Sequence, residues 1–224
     1  MNKTSQTAAR VTSQPPNFQN PNAGLVVSSA WVLGTPERQH AAAHAVVESW
    51  RSRHWPPGLH SYSILIGTDG STLRHYSRWD GEQAFAQFQA REQDEQGAPV
   101  DDAVPGIERQ ELQRYRPYRG TQATEPAVSP ETVVIVTGTF AHSAEIESFV
   151  DGMLDSDTPE DEPTGSDGLV SAHFHVSLDG TGLLNYAQWT DDTAYRKGMG
   201  LGSDDPLPPG VGTFRLHATL LPGG

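Results

Sequence analysis

Two stretches of the chain align on each other without a gap. "GLHSYSILIGTDGSTLRHYSRWDGEQAF" (Gly58 to Phe85) and "GLVSAHFHVSLDGTGLLNYAQWTDDTAY" (Gly168 to Tyr195) keep a constant offset of 110 positions. Gly58/Gly168, Leu59/Leu169, Ser61/Ser171, Asp69/Asp179, Gly70/Gly180, Leu73/Leu183, Tyr76/Tyr186, Trp79/Trp189 and Ala84/Ala194 are identical pairs. Further on, "DDAVPG" (Asp101 to Gly106) parallels "DDPLPPG" (Asp204 to Gly210). This period is far longer than a solenoid unit, so the chain carries two tandem copies of one small domain.

Each copy reads in the same order. An apolar, β-rich run comes first, "GLVVSSAWVL" (Gly24 to Leu33) or "TVVIVTGTF" (Thr132 to Phe140). A helical run follows, Pro36 to Arg53 or Ser143 to Leu154. Thr35 with Pro36 makes an N-cap and first-turn pair, and Ser143, Ile146, Phe149 and Val150 recur at a helical period. Asp-Gly between two alternating runs then predicts a hairpin. A second helix begins near Glu82 or Asp192, and a last strand spans Ile107 to Tyr115 or Val211 to Leu221. The order β-α-β-β-α-β is the ferredoxin-like unit, an antiparallel sheet with helices on one face. The predicted fold class is α+β, with two ferredoxin-like repeats at 23–120 and 132–224. A linker occupies 121–131, a disordered polar tail 1–22, and the acidic stretch Asp155 to Asp167 is read as a surface loop.

Composition narrows the partners. The formal net charge is −13 and the sequence pI about 5.0, without the basic field that nucleic acid or an anionic membrane attracts. The basic cluster "RYRPYRG" (Arg114 to Gly120) is read as a solvated strand end. No run approaches the roughly 20 apolar residues of a membrane span, and the N-terminus has no apolar signal core. The chain has no cysteine, which removes disulfides and thiolate metal sites and suits a cytoplasmic location. His173 and His175, and His40 and His44, have metal-ligand spacing but no evident third ligand, so no metal is expected.

Strand alternation then assigns a pocket wall. With Asp179-Gly180 as a two-residue turn, Asn185 lies opposite Phe174, Ala187 opposite Ala172 and Trp189 opposite Val170. One face thus holds Val170, Ala172, Phe174, Val176, Leu183, Asn185, Ala187 and Trp189. It is an apolar wall bearing one amide and one indole. The equivalent wall of the first copy is His60, Tyr62, Ile64, Ile66, Leu73, His75, Ser77 and Trp79. His75 stands where the second copy has Asn185, and Phe85 where it has Tyr195. A buried carboxamide without partners costs about 1–3 kcal/mol, which makes Asn185 a candidate ligand contact.

The second copy's pattern, Gly-Leu-x-Ser, Asp-Gly, Asn-Tyr-x-Gln-Trp and a following Tyr, resembles the antibiotic biosynthesis monooxygenase family, as does the element order of both copies. The resemblance covers both repeats. It implies two ferredoxin-like sheets packed as an α+β barrel, here a pseudo-dimer within one chain, with further oligomerisation open. It also implies a monooxygenase that oxidises an anthrone-type aromatic polyketide to a quinone. O₂ is the co-substrate, and no metal, flavin or haem cofactor takes part. By the motif, the catalytic residues are Asn185, Trp189 and Tyr195. Substrate contacts are expected from Val170, Ala172, Phe174, Leu183 and Met199, with His60, Tyr62, His75 and Trp79 in the first copy. An amide or indole N–H suits developing oxyanion charge, and Tyr suits proton relay.

The chain departs from the family's pattern in two ways: it lacks the pocket arginine, and its first copy keeps only the Trp of the trio. The family's pocket arginine follows the second helix, yet the loop Gly198 to Gly210 has none. Arg215 is the nearest substitute, and alternation against Phe214 and Leu216 points it elsewhere. Other functions remain open at this stage. They are a cyclase or isomerase using His75 as a base near neutral pH, a haem-binding or haem-degrading relative, and a ligand-binding protein.

Overall fold

The computed structural model describes residues 8–92, 98–123, 129–155 and 167–223. In chain order the elements are β1 (Ala9–Thr12), β2 (Leu25–Val32), α1 (Pro36–Ser52), β3 (Leu59–Gly67), β4 (Thr72–Trp79), α2 (Glu82–Glu92), α3 (Ala98–Ala103), β5 (Glu108–Arg109), β6 (Gln113–Gln122), β7 (Thr132–Thr139), α4 (Ser143–Leu154), β8 (Leu169–Ser177), β9 (Gly182–Trp189), α5 (Asp192–Gly198) and β10 (Val211–Pro222). The fold is α+β and ferredoxin-like in both repeats, as the repeat pattern predicts. None of the described helices is long and apolar enough to cross a membrane.

Local chemistry explains the boundaries. Thr35 caps α1 by accepting from Arg38 N (3.3 Å), and Asp191 caps α5 by accepting from Ala194 N (2.8 Å). In the β3–β4 turn, Asp69 Oδ1 accepts from the backbone N–H of Ser71 and Thr72, while Gly70 takes φ 70°. The connection is four residues rather than two, and the predicted register survives. The shared pair Gly58 and Ala84 marks a close approach of strand to helix. A Cβ at Gly58, φ 80°, would lie 2.6 Å from Ala84 Cβ, and Gly168 stands in the same relation to Ala194. Gln39 pins α1 to the first hairpin by donating to the carbonyls of Gly67 (2.9 Å) and Thr72 (2.6 Å).

The chain forms two compact units that cross the repeat boundaries at the last strands. Unit 1 comprises 1–114 and 216–224. Its strands run β5-β2-β4-β3-β10-β1. Unit 2 comprises 115–215, and its strands run β10-β7-β9-β8-β6. The start of each last strand lies beside its own repeat's first strand, in ferredoxin-like order. Its continuation pairs with the second strand of the other repeat: β6 with β8, and the end of β10 with β3.

Three sequence expectations change. From residue 8 onward the N-terminal segment is ordered, because β1 pairs with β10 in register Ala9↔Pro222. The following residues are held by the buried Arg78 guanidinium, which donates to the carbonyls of Asn17, Phe18 and Asn20. Polar composition concealed this strap because its bonds are made by backbone. The basic cluster is not merely solvated: Arg116 pairs with Glu147, and Arg119 with Asp151 (2.7 Å) and Asp155 (2.6 Å), tying β6 to α4. Phe149 leaves the buried stripe of α4, which is Ile146 and Val150, and packs half-exposed on Phe140. Residues 124–128 of the linker and 156–166 of the acidic loop lie outside the described residues.

Candidate active site

Both hairpins keep the predicted register over most of their length. Phe174 pairs with Asn185 and Ala172 with Ala187, as Ile64 pairs with His75 and Tyr62 with Ser77. Each then carries a β-bulge at its mouth, so that Leu59, not His60, faces Trp79, and Leu169, not Val170, faces Trp189. A bulge inserts one unpaired residue and re-aims it. This corrects the wall at two positions. His60 turns to Asp80 Oδ1 (2.7 Å) and Asn20 Nδ2 (3.1 Å). Val170 is half-buried, and Leu169 packs on the second core instead.

The first wall opens on a cavity of about 340 Å³ contained within unit 1. Its aromatic lining is Trp31, Trp50, Tyr62, Trp79, Phe85 and Phe88, and His75 and Arg109 are among its polar groups. The sheet contributes Trp31 from β2, Tyr62 from β3, and His75 and Trp79 from β4. The helices contribute Trp50 from α1 and Phe85 and Phe88 from α2. Trp50 and Phe88 stack with centroids 5.9 Å apart and planes 17° apart, and Phe85 meets Trp79 edge-on at 5.3 Å. The Trp79 indole donates to Ser77 Oγ (2.9 Å), so it packs with its polar edge already satisfied.

The polar groups are fewer and better fixed. Tyr62 Oη lies 2.7 Å from His75 Nδ1, and the Trp50 ring packs on the Tyr62 ring with centroids 4.7 Å apart. His75 is 4% exposed, and its Nε2 has no hydrogen-bond partner among the described residues. Burial, with the charges of Arg109 and Arg74, pushes the His75 pKa down to about 3. The imidazole is therefore neutral near pH 7 and a poor base, which argues against the base role expected for it in a cyclase. Burial pushes the Tyr62 phenol above its ordinary range. Arg109 lies over Trp31 (4.8 Å to the ring centroid) and is anchored by Asp101 Oδ1 (2.8 Å).

The second wall lies in its own hydrophobic core. Ala172, Phe174, Leu183, Trp189 and Tyr195 belong to one packed cluster, and the Trp189 and Tyr195 rings meet edge-on at 5.5 Å. Asn185 pairs in register with Phe174 and Val136. Asn185 Oδ1, Trp189 Nε1 and Tyr195 Oη are buried without partners among the described residues. Burial raises the Tyr195 pKa. Met199 is 55% exposed at the C-cap of α5. Arg215 is exposed and donates to the Glu131 carbonyl (3.2 Å), so it supplies no pocket cation.

The structure thus brings Tyr62, His75 and Trp79 together and leaves His60 outside. Sequence reasoning missed Trp50 and Arg109. Trp50 ends the buried helical stripe Ala42, Ala43, Val46, Val47, a signal present in the sequence. Arg109 follows the second helix of the first repeat, whereas the family pattern places its pocket arginine after the corresponding helix of the second. The described residues contain no group of three His, Asp or Glu side chains arranged to hold a metal ion. His175 instead bonds through Nδ1 with the Leu184 carbonyl (3.1 Å).

No family model matches the chain, and no curated protein matches it. Among solved structures, an anthrone oxidase-like protein superposes with a TM-score of 0.62 at 13% identity, covering 94% of this chain and 95% of that one. A ferredoxin-fold protein from Listeria monocytogenes, related to antibiotic biosynthesis monooxygenases, has a TM-score of 0.44 at 11% identity, with 90% and 96% covered. A chlorite dismutase variant from Candidatus Nitrospira defluvii has a TM-score of 0.44 at 11% identity, with 87% and 90% covered. The first of these shows that the fold of both repeats is shared with an anthrone oxidase-like protein along nearly the whole chain.

Proposed function

We propose that the chain is a monooxygenase that oxidises a phenolic polycyclic aromatic, an anthrone-type polyketide, with O₂ in the first-repeat cavity and without metal, flavin or haem. The observation that carries this reading is the cavity itself. It combines a volume in the range of small-molecule sites with walls of aromatic rings and polar groups that include His75 and Arg109. The anthrone oxidase-like fold supports the reaction class.

The chemistry asks little of the protein. A phenolic anthrone loses a proton from its methylene carbon to give a delocalised anion. The anion gives two electrons to O₂, which bonds to that carbon through one oxygen, and the peroxide takes up one proton from water, matching the one released, to give a hydroperoxide. Loss of water leaves the quinone carbonyl, so one O₂ yields one quinone and one water. Arg109 and the neutral His75 favour the anion by donation and charge. The rings of Trp31, Trp50 and Trp79 orient a flat substrate and exclude water from it. With His75 neutral, the substrate's own acidity in this positive field replaces a strong base.

A second reading places the reaction at Asn185, Trp189 and Tyr195. Their three unpartnered polar atoms favour it, since ligand binding would satisfy them. Oxygen uptake by chelator-treated protein given 1,8-dihydroxyanthrone tests the activity. Equimolar O₂ consumption and quinone formation are expected. A requirement for added flavin or metal, or a Soret band and activity on adding haem, contradicts the cofactor-free mechanism.

A further inference from the structure

One hydrogen bond in the first repeat bears on the chemical identity of a ring nitrogen. Trp50 packs on the Tyr62 ring with centroids 4.7 Å apart. The Tyr62 hydroxyl has a hydrogen to place, and His75 Nδ1, 2.7 Å away, is the acceptor beside it. With Nδ1 accepting, the ring hydrogen falls to Nε2. That N–H is buried and has no partner among the described residues. Trp31 packs on the imidazole with centroids 4.1 Å apart, and Arg109 covers the other side of the setting through Trp31. The charges that act on His75 are those of Arg109 and Arg74, with no carboxylate among them. An unpaired donor in a positive, water-poor environment suits an anionic acceptor.

We propose that Tyr62 is a positioning residue that holds His75 as an Nε2–H donor, and that this donor and Arg109 make the cavity a receptor for the ionised hydroxyl of an aromatic ligand. The inference rests on the cavity being the substrate site and adds the form in which the ligand is held. Substrates with an acidic ring hydroxyl are bound as phenolates, and ring systems that lack one are held by stacking alone. Trp31 seals the imidazole from water, so the ligand moves this indole as it seats.

The full chain is titrated with 4-nitro-1-naphthol, whose anion absorbs visibly, and with its O-methyl ether, which cannot ionise. At a pH below the naphthol's solution pKa, the anion band is expected to appear on binding. The naphthol should bind about 10- to 100-fold more tightly than the ether, the range for hydrogen bonds to charged groups. Tyr62→Phe and Arg109→Gln should each lower that preference about tenfold or more, weakening the naphthol far more than the ether, a split that a purely structural role does not produce. Arg109 is partly exposed, so R109Q tests the charge without disturbing the core. Binding of naphthol as the neutral phenol, or equal affinity for the ether, overturns the inference and leaves the cavity as the substrate site. Failure of both probes to bind overturns the inference and that reading together.

Discussion

The two repeats share a fold and differ in what their helices reach. Helix α1 has 17 residues and α4 has 12, while α2 has 11 and α5 has 7. The added turns of the first repeat carry Trp50 and Gln89, with Phe88 just before Gln89, and these become cavity wall. At the constant offset, Phe88 corresponds to Gly198, where α5 ends. The sheet differs in step. Tyr62 and His75 of the first wall match Ala172 and Asn185 of the second. Three residues after Gly106 stands Arg109, and three after Gly210 stands Thr213. In the first repeat the buried Tyr62 and His75 are hydrogen-bonded to each other and line a cavity, whereas in the second Asn185 Oδ1, Trp189 Nε1 and Tyr195 Oη are buried without partners among the described residues.

The sharpest way to break this comparison is through the paired positions 75 and 185. In oxygen uptake with 1,8-dihydroxyanthrone, His75→Leu is expected to lower kcat about 10²- to 10³-fold, the effect of removing one oxyanion donor. Asn185→Leu should leave it unchanged. The reverse pattern would move the working site to the second repeat.

The same two variants sharpen it through stability, read by urea unfolding. His75→Leu strands the Tyr62 hydroxyl and is expected to destabilise the chain by about 1–3 kcal/mol. Asn185→Leu removes an unpartnered carbonyl oxygen from an apolar wall, so it should be neutral or stabilising.

Acid supplies a third test. His75 binds a proton less readily folded than unfolded, so its contribution to stability is complete above about pH 6.5 and is lost as pH falls towards 3. The contribution falls by at most about 1.4 kcal/mol per pH unit. Asp69 and Asp179, whose pKa values are lowered, also lose stability in acid, so the measured quantity is wild type minus His75→Gln. A flat difference between pH 6.5 and 3 would show that His75 is not held neutral. The smallest effect is expected in unit 2. Arg119→Ala should lower the melting temperature slightly in low salt, and added salt should erase the change.

Much of the fold was legible because the repeat supplies its own alignment and each Asp-Gly sets a register. Tyr62, His75 and Trp79 followed from that register. The bulges at His60 and Val170 did not, because an extra residue at a strand mouth leaves alternation intact on either side of it. The exchange of last strands depends on long-range pairing that local pattern does not encode. The strap at 8–22 is held by Arg78 and by backbone pairing, and its polar side chains read as a tail. The β6–α4 ion pairs were visible in principle: Glu147, Asp151 and Asp155 recur every four residues along one helix face. Trp50 and Phe88, which line the cavity, lie on helices, outside the Asn, Trp and Tyr pattern of the second repeat.

A crystal structure of the chain soaked with 1,8-dihydroxyanthraquinone tests the assignment of the working site most directly. Density for the flat ring system between Trp50 and Trp79, with a hydroxyl oxygen within hydrogen-bond distance of His75 Nε2, is the expected result. Density against Asn185, Trp189 and Tyr195, with the first-repeat cavity unoccupied, would contradict it.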